Sequence, residues 1–277
     1  MALSREIGLR GQQIPARLLG DLWLVGRDHD HTATVVHAGT GAAPAAVAER
    51  NGVVFVAPDP PVTELLDIPV ADDPDFVDGW LEPRRARVGA GLMVDNFLDM
   101  AHFPFLHTTT IGPDEQATFD DISVERQGLG MTVRSEHDFA HHEDPGVAQG
   151  LRPLVQRRRV TYEYRAPFLL SLQIDFLDAG GSNWIAFYVQ PENTELCRLY
   201  CALYRDDLGG PETAEARRAM AAAVRYEALI LDEDLALQTR YPDLRLPLDL
   251  RAEVHIRADR PTVELRRILR DLVSSAS

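Results

Sequence analysis

The amino-acid sequence predicts an α+β protein in which a small β domain precedes an antiparallel sheet that grips a long C-terminal helix. Three observations indicate this class. Apolar and polar residues alternate through the opening portion and again from about 121 to 207. Between 90 and 107 the apolar residues adopt helical spacing instead. From Gly210-Pro211 to about Arg240 the pattern is that of one long helix, which a following proline ends.

The opening portion is predicted to consist of short strands joined by turns. Residues 18 to 37 form two strands around a polar turn, and Val53 to Val56 form a strand that follows an Asn-Gly turn. The segment from Pro58 to Asp78 is rich in proline and aspartate, which is typical of a boundary. We therefore expect one domain over residues 1–70 and a second over residues 71–277.

The second domain should begin with a helix and continue as a sheet. Met93, Phe97 and Met100 share one helical face, and Pro104 should end or distort that helix near His102. The segments VTYEYRAPFLLSLQIDFL and NWIAFYVQPENTELCRLYCALYR alternate like strands and suggest a curved antiparallel sheet. Beyond the long helix, we expect a strand-like piece at Ala252 to Ile256 and a short amphipathic helix near Pro261 to Val273.

Composition and charge exclude some classes of function. The chain has 277 residues and a formal net charge of −15, so a phosphate backbone would repel its surface and nucleic-acid binding is not expected. The first fifteen residues contain no apolar run that suits a signal peptide, and no stretch approaches the ~18 apolar residues of a membrane span. We expect a cytoplasmic protein that does not bind membranes.

The segment that carries chemistry is Asn96-x-x-Asp99-x-x-His102-x4-His107. Residues three apart lie along one side of a helix, so Asn96, Asp99 and His102 should align. His107 follows Pro104, where the chain has left regular helix and can turn its imidazole back. Two neutral imidazoles and a carboxylate suit a divalent first-row metal, and two histidines with one carboxylate are the ligand set of non-haem Fe(II).

These residues alone are weak evidence for a metal site. A histidine satisfied in the core at His102, an exposed His107 and a surface acid at Asp99 would explain the same spacing. A third ligand must come from elsewhere, and the long helix offers three acids, at 232 to 234, in the apolar context EALILDEDLALQ. Burying a carboxylate there costs several kcal/mol unless it is paired or bound to a metal. Periodicity does not choose among the three.

The sequence resembles the Rieske non-haem iron oxygenases, especially the group of vanillate O-demethylase and dicamba monooxygenase. VAERNGVVFVAPDPP is similar to the last strand of the family's Rieske domain, and VDNFLDMAHFPFLH to its iron-binding helix. LDEDLALQ matches the family's Glu-Asp motif, and ADRPTVELRRILRDLV resembles its C-terminal signature. The likeness covers roughly residues 15 to 277, and the combination is more specific than any one motif.

The resemblance implies a role for each residue of the motif. His102, His107 and Asp234 match the iron ligands, and Asp99 matches the carboxylate that links the iron to the Rieske cluster of a neighbouring subunit. Asn96 matches a residue lining the iron pocket. The sheet from about 157 to 207 would form the family's helix-grip (SRPBCC-like) pocket for a small organic substrate. The first domain would be a truncated Rieske-like β domain.

The departure from the family is as informative as the match. A Rieske [2Fe-2S] centre needs two cysteines and two histidines, in the family's spacing C-x-H…C-x-x-H. The only cysteines are Cys197 and Cys201, which lie downstream on a predicted strand and suit core packing. Only the short loop from Ala38 to Ala46 stands where the cluster should be. We expect a mononuclear Fe(II) site and no [2Fe-2S] cluster in this chain.

Two functions follow from that departure. In the first, the chain is an oxygenase component that uses O2 to hydroxylate or demethylate its substrate. Its electrons would come from a cluster-bearing homologous subunit in a trimer or hexamer, supplied by a ferredoxin or reductase. In the second, the chain is a catalytically silent subunit that only completes such an assembly. The presence of Asp99, His102, His107 and Asp234 together favours the first, because a structural subunit has no chemical need for all four.

Other polar and aromatic groups are interpreted as structural. The run from His141 to Asp144 has metal-ligand residue types, but the following Pro-Gly predicts a surface turn. Trp184 and Phe187 lie on predicted pocket strands, where they would face either the substrate or the core.

Overall fold

The computed structural model describes residues 1–8, 11–112, 119, 121–142, 144–210 and 213–275. Its strands are β1 (Ala2–Leu3), β2 (Ile14–Leu18), β3 (Asp21–Arg27), β4 (Ala33–His37), β5 (Ala46–Arg50), β6 (Val53–Ala57), β7 (Val77–Trp80), β8 (Arg84–Ala86), β9 (Ser123–Gln127), β10 (Gly130–Ala140), β11 (Val155–Arg165), β12 (Leu169–Phe176), β13 (Ser182–Asn193) and β14 (Leu196–Arg205). Its α-helices are α1 (Ala90–Leu98), α2 (Phe103–Leu106), α3 (Pro145–Ala148), α4 (Ala214–Gln238) and α5 (Arg260–Ser275).

Short antiparallel strands build the opening portion, as the alternating pattern predicts. One three-stranded sheet has the order β1-β6-β5 and a second has the order β2-β3-β4. The predicted strand after the Asn-Gly turn is β6, and Asn51 and Gly52 adopt the positive φ that a tight hairpin turn needs. Trp23, Val25 and Val54 are buried between these strands. The two predicted strands around the polar turn are β3 and β4, and both are confirmed.

A second, larger antiparallel sheet forms the body of the molecule. Its strands follow the order β7-β14-β13-β12-β11-β10-β9, and β8 also pairs with β14. Residues directly opposite in antiparallel strands share a face, and so do residues two apart along a strand. The register therefore sets Tyr162, Leu172, Ile185 and Leu203 in one cross-strand row. This face of the sheet is turned towards the helices and carries the main core.

Helix α4 is the long helix that the sequence predicts. The side chain of Thr213 caps its N-terminus by accepting a hydrogen bond from the Ala216 amide at 3.0 Å; Pro211 lies outside the described residues. Its buried positions recur at helical spacing: Ala216, Met220, Ala223, Leu231, Asp234 and Gln238. The helix lies against β7, where a Cβ on Gly79 would come within 2.7 Å of the Met220 sulfur. Glycine at this position therefore lets the helix approach the sheet.

The C-terminal segment differs from the prediction in one respect. The prediction of a strand at Ala252 to Ile256 is wrong, because the chain forms single 3₁₀ turns at Leu250–Ala252 and Arg257–Asp259. Asp249 accepts a hydrogen bond from the Arg251 amide and Asp259 accepts one from the Ile256 amide. Local bonds of this kind compete with strand pairing. The predicted amphipathic helix is α5.

None of the helices within the described residues is both long and apolar enough to cross a membrane. Cys197 and Cys201 are buried in β14 with free thiols, and burial raises the pKa of Cys197 to about 12. The expected core packing of both cysteines is confirmed.

Candidate metal centre

The motif residues lie where α1 gives way to the short helix α2. Helix α1 ends at Leu98, earlier than the end predicted near His102, and Pro104 occupies the first turn of α2. Proline suits that position because the amide it lacks has no helical partner there. His107 follows α2 directly, and its backbone has left the helical region. The break and the new turn let His102 and His107 converge.

Three side-chain atoms meet at this point. The Nε2 atoms of His102 and His107 lie 3.1 Å apart. Oδ1 of Asp234, on α4, lies 3.3 Å from each of them. His107 and Asp234 are almost fully buried, at 0% and 4% exposure. Among the described residues, His102, His107 and Asp234 form a group that could hold a metal ion.

The tautomers of both histidines are set by carboxylates on their other nitrogen. Oε2 of Glu233 lies 2.7 Å from Nδ1 of His107, and Oδ2 of Asp99 lies 3.5 Å from Nδ1 of His102. An ionised carboxylate only accepts hydrogen bonds, so the Nδ1 atoms carry the protons. In their neutral forms the two imidazoles then present lone pairs at Nε2, towards each other and towards Asp234. Three acceptors converging on one point favour a cation between them.

The spacing of the donors fits a first-row metal. With metal–ligand bonds of about 2.1 Å, ligands at right angles lie roughly 3.0 Å apart and tetrahedral ligands roughly 3.4 Å apart. The observed separations of 3.1 and 3.3 Å fall between these values. Two imidazoles and one carboxylate are also the donor set of non-haem Fe(II) sites. The residues present therefore fit such an ion.

Electrostatics point the same way. Burial lowers the pKa of His102, but Asp234 and Asp99 outweigh it and raise that pKa to about 9. Burial likewise lowers the pKa of His107, and Asp234 and Glu233 raise it above its usual value. Burial raises the pKa of Asp234, yet the two histidines and Asn96 hold it below its ordinary range. The site thus attracts positive charge, whether a proton or a metal carries it.

The three acids of α4 have separate surroundings, which the sequence alone does not reveal. Asp232 is exposed and lies 3.4 Å from Arg84. Glu233 reaches His107 and also accepts hydrogen bonds from the Thr109 and Thr110 hydroxyls, each at 2.7 Å. Asp234 alone points into the cluster. Glu233 is therefore a functional candidate that sequence reasoning missed, since its role depends on how α4 is rotated.

Asn96 and Asp99 occupy different sides of the cluster. Nδ2 of Asn96 donates to Oδ1 of Asp234 at 2.9 Å, and Nε2 of Gln238 donates to Oδ1 of Asn96 at 2.6 Å. Asp99 accepts from the Ala101 amide at 2.9 Å and keeps part of its carboxylate exposed. The structure therefore brings all five predicted site residues together, with Asn96 inside and Asp99 towards the surface.

A cavity of about 170 Å³ opens beside the three donors. Apolar side chains of the sheet line its middle, among them Leu172, Ile185 and Leu203. Phe187 also lines it and stacks on Phe97 of α1, with ring centroids 3.9 Å apart. The register places a polar row, which includes Asn183 and Arg205, next to the apolar one. The cavity can hold a small molecule that is apolar along part of its length and polar at one end.

The prediction of a surface turn at His141 to Asp144 is wrong for its first and last residues, which are both buried. His141 lines the cavity at 5% exposure, and its ring stacks on Phe176 with centroids 4.5 Å apart. Asp144 is buried and accepts hydrogen bonds from Arg152 and Gln156. These pairings satisfy polar groups that the sequence pattern assigns to solvent. Glu143 lies outside the described residues. Trp184 packs on the opposite face of the sheet, against the opening portion.

Comparison with known proteins gives consistent results. A family model described as the vanillate O-demethylase oxygenase C-terminal domain matches residues 86–275. The probable methylxanthine N7-demethylase NdmC of Pseudomonas sp. (strain TJI-51) is 25% identical over 221 residues, which are 75% of this chain and 74% of that protein. The solved structure of Pseudomonas putida CBB5 NdmA with caffeine is similar with a TM-score of 0.76 and 17% identity, over 94% of this chain and 84% of that one.

Dicamba monooxygenase bound to 3,6-dichlorosalicylic acid is also similar in structure. Its TM-score is 0.67 at 13% identity, and the match covers 100% of this chain and 97% of that one. At such low identities these likenesses establish the fold. The expected α+β class, with a helix-grip domain built from an antiparallel sheet and a long C-terminal helix, is confirmed.

Proposed function

Since this chain belongs to the Rieske non-haem iron oxygenase family through its vanillate O-demethylase oxygenase C-terminal domain, we propose that it is a mononuclear Fe(II) oxygenase component. It would hydroxylate or oxidatively demethylate a small organic substrate with O2. The observation that carries this proposal is the convergence of His102, His107 and Asp234, whose three donor atoms lie 3.1 to 3.3 Å apart in a buried site. We assign these three residues as the iron ligands.

Bound iron would supply the redox chemistry that activates O2 for attack on a C–H bond. The residues of the chain do the rest. Glu233 holds the proton on Nδ1 of His107, and the Asp99 carboxylate, 3.5 Å from Nδ1 of His102, favours a proton there, so that both Nε2 lone pairs stay available. Asn96 donates to Asp234 from inside the pocket. The apolar cavity wall excludes water and orients the substrate.

The reaction requires electrons that this chain is not equipped to store. Hydroxylation of a methyl group consumes O2, two electrons and two protons, and it yields the alcohol and water. When that methyl group is on nitrogen or oxygen, the alcohol breaks down to formaldehyde and the demethylated product. The two cysteines of the sequence are buried in β14, so they do not meet the cluster pattern C-x-H…C-x-x-H. We propose that a cluster-bearing homologous subunit supplies the electrons.

The position of Asp99 supports an electron donor that docks from outside. Its carboxylate is part-exposed while its partner, His102, reaches the buried donors. Phe105, in the intervening helix α2, is 76% exposed, which is unusual for so large an apolar side chain. We propose that Asp99 and Phe105 contact the partner subunit in a trimer or hexamer. A ferredoxin or reductase would in turn supply that partner with electrons. Residues 1–70 would be a truncated Rieske-like β domain without a cluster, and residues 71–277 the catalytic domain.

Hydrogen peroxide offers a test that needs no partner. It carries the oxygen together with the two electrons and two protons, so it replaces both O2 and the donor. We expect the Fe(II)-loaded chain to release formaldehyde from a methylated probe drawn from caffeine, theobromine and dicamba, and the Asp234→Ala variant to release none.

Failure with every probe would favour the alternative function. If the folded chain gives no more formaldehyde than Asp234→Ala, the catalytically silent subunit of a hetero-oligomeric oxygenase becomes the better account. The lack of cluster ligands in the sequence is the observation behind that alternative.

A further inference from the structure

A buried amide lies one helical turn beyond Asp234. Gln238 is four residues further along α4, so both side chains lie on the same face of the helix. Its Nε2 donates to Oδ1 of Asn96 at 2.6 Å, and Nδ2 of Asn96 donates to Oδ1 of Asp234 at 2.9 Å. All three side chains are buried. The three form a continuous chain of hydrogen bonds from α4 to α1 and back to α4.

The direction of this chain is fixed by its last member. An ionised carboxylate only accepts, so Asn96 must turn its NH2 group towards Asp234. The carbonyl oxygen of Asn96 then faces Gln238, which must donate a hydrogen bond to it from its own NH2 group. A side chain without a donor at position 238 would leave the Asn96 carbonyl buried and unpaired, or would let the amide turn over. Either outcome disturbs Asp234.

We propose that Gln238 is a positioning residue for the metal centre, which acts through Asn96 to hold the Asp234 carboxylate with Oδ1 towards the two imidazoles. The inference rests on the proposed function, because it assumes that these donors bind a metal. The terminal torsion of aspartate is broad, so its carboxylate needs an external contact to define its rotation. Asn96 provides that contact, and Gln238 keeps Asn96 in the orientation that can donate.

The arrangement also explains why a polar residue is tolerated in this part of the core. Gln238 is buried; its Nε2 binds Asn96 of α1, while its Oε1 has no hydrogen-bond partner among the described residues. Replacing a buried amide by an apolar residue of similar size is often nearly neutral for stability when its partner is also replaced. A role in stability alone therefore does not require the pair. A role in orienting a ligand does.

Metal affinity measures this role directly. Co(II) suits the same donors as Fe(II), binds somewhat more tightly and absorbs in the visible, so it serves as the probe. Removing an outer partner of a metal ligand typically weakens binding ~10–100-fold, and Gln238 acts one step further away. We expect Gln238→Met to weaken Co(II) binding about 3–10-fold. We expect Gln238→Glu, which has the same shape but repels the Asn96 carbonyl, to weaken it more.

A double-mutant comparison separates positioning from packing. In an Asn96→Leu background the relay is already broken, so Gln238→Met should change Co(II) affinity no further. Glu215→Gln, at the exposed start of the same helix, is the control and should bind as the wild type does. Circular dichroism establishes that each variant is folded. If Gln238→Met does not fold, the isosteric Gln238→Glu makes the same comparison.

The outcomes distinguish this inference from the proposed function. Equal Co(II) affinity in the wild type and Gln238→Met would overturn the positioning role alone. An equal loss from Gln238→Met with and without Asn96 would also overturn it, because the effect would not pass through Asn96. If the folded wild type binds no Co(II), or binds no more of it than Asp234→Ala does, the proposed function and this inference are both contradicted.

Discussion

Glu233 shows how much of this site depends on groups beyond the three proposed metal ligands. Its carboxylate is held by two threonine hydroxyls and accepts from Nδ1 of His107 at 2.7 Å. Burial alone would raise the pKa of Glu233. The hydrogen bonds with His107 and the two threonines outweigh burial and lower that pKa below its usual value, so the carboxylate stays ionised. An ionised acceptor keeps the proton on Nδ1 and makes the opposite nitrogen a better ligand.

Substituting Glu233 should therefore weaken metal binding without removing a ligand. We predict that Glu233→Gln lowers Co(II) affinity about 10-fold or more, measured by titration of the visible absorption. Asp232→Asn makes the same change of charge one residue away, on a side chain that is exposed and paired with Arg84. It should bind as the wild type does. Equal losses in both variants would mean that net charge, rather than the His107 contact, determines affinity.

The sequence identifies some of these residues and leaves others open. His102 and His107 stand out because two imidazoles follow one another across a proline. The choice among the acids at 232 to 234 depends on how α4 is rotated against the sheet, which neighbouring residues in the sequence do not determine. The resemblance to the oxygenase family selects Asp234, and the structure gives the three acids separate partners.

His137 provides a prediction about pH. It lies on the inner face of β10, and burial together with Arg158 and Arg157 lowers its pKa to about 3. Below an unfolded-state pKa of about 6.5 the unfolded chain binds a proton that the folded chain does not, so stability falls as the pH drops. The loss should approach about 1.4 kcal/mol per pH unit below that value.

Urea denaturation between pH 7 and pH 5 would measure this dependence. We expect a His137→Gln variant to lose less stability over that interval than the wild type, because one titrating group is gone. Gln127, which is exposed and does not titrate, gives a control, and Gln127→Asn should keep the wild-type slope. A slope that is unchanged in His137→Gln would contradict the assigned direction of its pKa.

At the scale of elements, helix α5 fastens the helix that carries the metal-site motif. Arg266 is buried and donates two hydrogen bonds to the Asp95 carboxylate of α1 and one to Glu253. Arg267, its neighbour, is half-exposed and pairs only with Glu264 among the contacts described. Arg266 and Arg267, which are adjacent in the C-terminal signature, therefore have different structural roles. One joins two helices and the other lies on a solvated face.

Stability measurements should separate the two arginines. We predict that Arg266→Met lowers the free energy of unfolding by about 3 kcal/mol, because it leaves Asp95 without its buried partner. Arg267→Met should cost less than about 1 kcal/mol, as is usual for an exposed pair. Urea denaturation at pH 7 gives both values. Comparable losses would show that α5 is not held through Asp95.

Elements with strong patterns could be predicted, and those set by single side chains could not. The alternating segments became β11 to β14, and the long periodic segment became α4. The piece from Ala252 to Ile256 has strand-like composition, but capping by Asp249 and Asp259 turns it into 3₁₀ turns. The His141 to Asp144 run has turn composition, but Arg152 and Gln156 hold Asp144 in the interior. Such partners are distant from the local pattern.

At the scale of the whole molecule, the candidate metal centre lies between the helices on one side and the sheet on the other. Helix α1 supplies Asn96, the connection after it supplies His102 and His107, and α4 supplies Asp234, more than 120 residues later. The sheet closes the cavity on the other side, with Phe187 stacked on Phe97. A site assembled from such distant segments forms only when the sheet and both helices are in place.

Iron content tests the central claim most directly. The purified chain, incubated with Fe(II) without oxygen and then desalted, should retain about one ion per chain. The Asp234→Ala variant should retain almost none, and the Asp232→Ala variant, on the same helix but outside the cluster, should retain as much as the wild type. A folded wild type that holds no more iron than Asp234→Ala would contradict the account.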